Sequence, residues 1–213
     1  MFSPKLILWG GVASTCAGIF WILSGLAPNG GTFVLALILE LGGLVGLYSR
    51  LAGQGGRLGL AGFTLGIIGM GLALATLWWG FTSGRLSPSN IQREPVLAAS
   101  VLLILLLEQV TLDVGLLLLG VASLRAKTLP RWRGLPLGLG LLNTILGISG
   151  WLIFYVPLSQ GRNPWDPWNP GMYVPLFVVF VLLGLGWMGL GITLATEAEA
   201  RIAQPPPASA ETR

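Results

Sequence analysis

Histidine is absent from the chain, cysteine occurs once, and charged residues make up only 9% of its 213 positions. Each shortage removes a class of chemistry. Without histidine the chain offers no His-ligated haem, no His-based zinc site, no histidine facial triad for iron, and no Ser-His or Cys-His catalysis. A single cysteine, Cys16, forms no intrachain disulfide and cannot build an iron–sulfur cluster or a cysteine-rich zinc site. It lies in an apolar run and reads as a small buried hydrophobe. No GxxxxGK[ST] phosphate loop is present, and the many glycines fall in apolar segments rather than after strands. No metal, cofactor or catalytic residue is expected.

What the chain does contain is apolar. Hydrophobic residues make up 54% of it, and its charged share compares with about 25% in soluble domains. A soluble fold would have too little polar surface to cover that much hydrocarbon. Glycine (32) and tryptophan (9) are both plentiful, as expected where small residues let membrane helices approach and Trp marks the interfaces. The sequence is that of a polytopic membrane protein.

Crossing roughly 30 Å of hydrocarbon takes about 20 helical residues, and six runs approach or exceed that length. They cover about Leu6–Leu26, Thr32–Ser49, Leu58–Phe81, Pro95–Leu124, Leu135–Leu158 and Tyr173–Ala195. Continuous apolarity favours helices, since membrane strands alternate. The expected fold is an all-α bundle of about six transmembrane helices in one domain, residues 1–200. The first run is longer than a signal-peptide core and precedes Pro28, so it reads as a retained helix. Pro205-Pro206-Pro207 ends the last helix, and residues 201–213 read as a disordered cytoplasmic tail.

Basic residues orient the bundle. One side holds Lys5, Arg50, Arg57, Arg125, Lys127, Arg131, Arg133, Arg201 and Arg213, the other only Arg85, Arg93 and Arg162. That bias places both termini in the cytoplasm. The net charge of +4 suits anionic lipid headgroups. The basic residues are scattered singly among short loops, so no nucleic-acid partner is expected.

Three acids, Glu40, Glu108 and Asp113, lie near the centres of apolar runs that contain no Lys or Arg. An ionisable residue at bilayer depth is a functional-site hypothesis by default. The fourth run carries Glu108-Gln109-Val110-Thr111-Leu112-Asp113. On a helix, Glu108 and Thr111 lie one turn apart, as do Gln109 and Asp113, while the two acids point about 140° apart. A central Glu or Asp costs roughly 2.5–3.5 kcal/mol to insert and each Leu returns about 0.3–0.6, so the polar side of this helix should face protein or water. Burial without a basic partner favours a protonated, hydrogen-bonding carboxyl for at least some of these acids. Asn143 and Thr144 form a milder polar patch, and Ser14-Thr15-Cys16 a third. These acids, with Gln109, Thr111 and Asn143, read either as a proton- or cation-handling site or as interhelical hydrogen bonders.

Small residues also fall in register. Gly10, Ser14 and Gly18 share a face of the first helix, Gly42 and Gly46 of the second, and Gly59, Gly62, Gly66 and Gly69 of the third. Such faces pack inside a bundle or join partner chains, including a second copy. Gly10, Gly62 and Gly138 each follow a basic residue by five positions, a faint repeat that would suit three helical hairpins. Trp165 and Trp168, in a loop with proline at every third position, and the pair Trp78-Trp79 read as interfacial anchors. The expectation is a non-enzymatic interaction protein of a bacterial cytoplasmic (inner) membrane, with lipid and protein partners. The alternative is a small transporter or channel for protons, cations or a small solute that uses the intramembrane carboxylates.

Overall fold

The computed structural model describes residues 3–26, 30–83, 95–127, 129, 134–159 and 170–203. Among them there are helices and turns and no strand. The helices are α1 (Pro4–Leu26), α2 (Gly30–Leu51), α3 (Gly56–Ser83), α4 (Pro95–Ala126), α5 (Leu135–Ser159) and α6 (Pro170–Ile202). Three of them open on proline, whose fixed φ suits the first helical turn and whose missing N–H is not needed there. At the end of α2, Gly53 takes φ +85°, a conformation that a Cβ disfavours. The amides of Gln54 and Gly55 then close on the Leu51 carbonyl at 2.9 and 2.7 Å.

Among the described residues, five helices are long and apolar enough to cross a membrane, against six runs expected from the sequence. In α5 the described apolar stretch, Leu135–Ser149, is shorter than a crossing. Outer faces carry bare hydrocarbon: Trp9 is 68% exposed, Leu103 67% and Ile145 60%. A bilayer tolerates that surface where water would not. The Trp165–Trp168 loop and the tail from residue 204 onward lie outside the described residues. The sixth helix continues past Ala195 to Ile202, and there Arg50 Nε of α2 pairs with Glu197 Oε2 at 2.8 Å.

Each helix touches the next and α6 returns to α1, with the α1–α6 contact the most extensive. The central position falls to α2, which also reaches α4 and α6. Glycine sets these crossings. A Cβ on Gly10 would run into the backbone of Gly46, and one on Gly18 into the Gly184 carbonyl. A Cβ on Gly62 would meet the Leu119 nitrogen at 2.7 Å, and one on Gly69 the Leu112 nitrogen at 2.7 Å. The glycine faces are therefore used within the chain, by α1 against α2 and α6 and by α3 against α4. Among the described residues, Gly71 within α3 and Gly138 within α5 are positions where an added Cβ meets nothing within 4 Å. Of the three glycines in the faint repeat, Gly10 and Gly62 sit at crossings, while an added Cβ on Gly138 meets nothing within 4 Å.

Candidate functional site

The intramembrane acids occupy separate seats. Glu40, only 2% exposed, points from the centre of α2 into the junction with α1 and α6. Trp21 Nε1 of α1 donates to Glu40 Oε1 at 2.6 Å. The Trp21 ring is closed in by Phe180, stacked at 5.4 Å, and Phe33, edge-on at 5.0 Å. Trp187 of α6, 1% exposed, also lies within reach of this carboxyl. Its Nε1 has no aligned hydrogen bond among the described residues. Ser14 completes the junction by donating to the Trp187 carbonyl at 2.8 Å. Gly43 makes room there, since a Cβ on it would meet Ser14 Cβ at 3.0 Å and the Trp187 ring at 3.1 Å.

Asp113, 7% exposed, sits where α4 meets α5. Its Oδ1 accepts from Gln109 Nε2 at 2.9 Å, one turn back on α4, and from Asn143 Nδ2 of α5 at 2.7 Å. Gln109 reaches this position because residue 147 is glycine: a Cβ there would stand 2.5 Å from the Gln109 amide. Beside the cluster lies a half-open cavity of about 290 Å³. Its polar side is Gln109, Asp113 and Thr144, and its apolar side includes Leu106, Val110, Leu117 and Ile148.

Glu108 points elsewhere. Stepping along α4, residues 108, 112, 115 and 119 form one stripe, and Leu112, Gly115 and Leu119 of that stripe pack on the glycines of α3. Glu108 Oε2 is buried with no hydrogen-bond partner among the described residues. Thr111 does not join it, because its hydroxyl donates to the Leu107 carbonyl of its own helix at 2.5 Å. Thr144 likewise bonds back to Gly140 at 3.0 Å. The structure thus joins Gln109, Asp113 and Asn143, and separates Glu40, Glu108 and Thr111 from them. Among the described residues, no three acids or thiols gather closely enough to hold a metal ion. No protein-family model, curated protein or solved structure matches the chain.

Trp78 is 73% exposed near the end of α3 and Trp79 38%, while Trp165 and Trp168 are not among the described residues. Sequence reasoning missed Trp21 and Trp187 as neighbours of Glu40. For Trp187 a signal exists: it lies mid-helix, away from the interfacial level where membrane tryptophans usually sit.

Proposed function

We propose that the protein is a non-enzymatic integral membrane interaction protein, an accessory, assembly or regulatory subunit of a bacterial-type inner membrane. It crosses six times with both termini cytoplasmic, and its Glu40 and Asp113 carboxyls are struts between helices. One observation carries this reading: Asp113 is held by amide donors from two helices and Glu40 by an indole from a third, in seats that do not converge. Polar pairs of this kind are a packing device in membranes. With the glycine crossings consumed inside the chain, a protein partner meets the remaining outer faces, where Gly71 and Gly138 leave space.

The test is ion flux. Purified protein in sealed proteoliposomes carrying a pH or potassium gradient should collapse neither. Glu40→Gln and Asp113→Asn should leave folding and yield near normal. Flux by the parent chain that these variants abolish would overturn the assignment in favour of a small transporter, the second reading, which the α4–α5 cavity beside Asp113 favours.

A further inference from the structure

We propose that the α4–α5 cavity is a binding site for a small apolar amine, its ammonium group on Asp113 and its hydrocarbon body between the two helices. This goes beyond the interaction reading and does not depend on it. Charge gives the first argument. Both hydrogen bonds to Asp113 fall on Oδ1 and come from neutral amides. Oδ2 receives neither, and Asp113 lines the cavity. The site therefore presents a carboxyl oxygen to which neither amide donates, with no cation among its lining residues. An ionisable group at this depth is ordinarily matched by an opposite charge or a donor.

Depth gives the second. Asp113 lies 13 residues before the end of α4 at Ala126, about 20 Å along the axis at 1.5 Å per residue. A lipid headgroup belongs at the interface and does not reach it, so the occupant must carry its charge on an apolar body. Size gives the third. About 290 Å³ stands at the lower end of small-molecule sites, roughly 300–1,000 Å³. A partner helix, about 10–12 Å across, does not fit. Leu106, Val110, Leu117 and Ile148 supply the hydrocarbon wall.

The experiment compares two probes of one shape, adamantylamine and adamantanol, by calorimetric titration into the full chain in nanodiscs, with empty nanodiscs subtracted. The amine should bind about tenfold or more tightly than the alcohol, the size expected for a charge-assisted hydrogen bond. Asp113→Asn keeps Oδ1 as an acceptor and should remove that preference. Thr144→Leu puts added bulk into the cavity, replaces no residue of the Gln109–Asp113–Asn143 cluster and should weaken both probes. This second variant keeps the proposal testable if Asp113→Asn does not fold. Equal binding of amine and alcohol marks the cavity as a seat for any hydrocarbon, including a lipid chain, and overturns the proposal. An amine preference that survives Asp113→Asn, or amine affinity untouched by Thr144→Leu, overturns it as well.

Discussion

Replacing Gly46 by alanine adds one methyl group, and the packing fixes what it should cost. The new Cβ would lie 2.7 Å from the Gly10 Cα and 3.1 Å from its carbonyl carbon, about an ångström inside the usual carbon–carbon separation of 3.5–4.0 Å. The obstacle is backbone, so no side-chain rotation relieves it and α1 and α2 must part. Overpacking of this sort costs about 1–3 kcal/mol. Alanine also improves helix propensity by about 0.8–1.0 kcal/mol, which masks part of the effect. Gly71→Ala supplies the control, because Gly71 is exposed in α3 with nothing within 4 Å of the added carbon. The propensity gain is common to both variants, so their difference isolates the overlap at about 1–3 kcal/mol. Reversible unfolding in mixed micelles, followed by tryptophan fluorescence, measures it. If Gly46→Ala is as stable as Gly71→Ala, the α1–α2 crossing is not held at glycine contact and the packing argument fails.

Glu40→Gln keeps an acceptor for Trp21 Nε1 and should change stability by about 1 kcal/mol or less, whereas Glu40→Leu orphans a buried indole N–H at about 1–3 kcal/mol. Equal stability of the two variants would remove the hydrogen bond from the account. A double-mutant cycle on Asp113 and Asn143 should give a coupling of about 0.6 kcal/mol, up to about 1.7, and a coupling of zero would mean that α4 and α5 are not tied there. Gly147→Ala should push the Gln109 side chain off Asp113, so its destabilisation should shrink when Gln109 is already alanine; full additivity counts against the clearance argument. For topology, in a Cys16→Ala background, Asn163→Cys should react with an impermeant thiol reagent from outside. Thr128→Cys should react only after permeabilisation, and the reverse pattern inverts the orientation.

The helical, membrane-like class was legible because a chain in hydrocarbon must satisfy its own backbone, which leaves long apolar runs little choice but helix. Local pairings within a helix were legible too: Gln109 and Asp113 are one turn apart and do hydrogen-bond. What pattern alone could not supply was the partner across space. Nothing in the spacing selects Asn143 for Asp113 or Trp21 for Glu40, since those choices follow from which helices become neighbours. The small residues of α1 show the same limit. Gly10 and Gly18, read as one face, divide in the fold, Gly10 against α2 and Gly18 against α6, because α1 lies between two neighbours. Glu108 and Thr111 were legible as adjacent, yet the hydroxyl is taken by the Leu107 carbonyl. A backbone acceptor one turn back is always at hand for a helical threonine.

Glycine and polar residues in this bundle are one device rather than two. Gln109 lies over Gly147, Ser14 beside Gly43, and the Thr15 hydroxyl against Gly191. In each pair the missing side chain on one helix clears the space into which a polar group of the next helix fits. Two consequences follow from low dielectric surroundings. A polar group away from water needs a partner at short range, and glycine lets the helix axes or side chains come close enough to provide it. Conversely, a close glycine contact has little hydrophobic driving force inside a bilayer, where lipid tails are as apolar as leucine, and rests on packing. The Asp113 cluster is where this arrangement stops short of closure. Gly147 admits Gln109, Asn143 completes the reach from α5, and both donors converge on the same oxygen. The other oxygen belongs to the one polar residue of the cavity that carries a charge when ionised. A carboxyl so placed is held by the protein through one oxygen at the edge of the cavity.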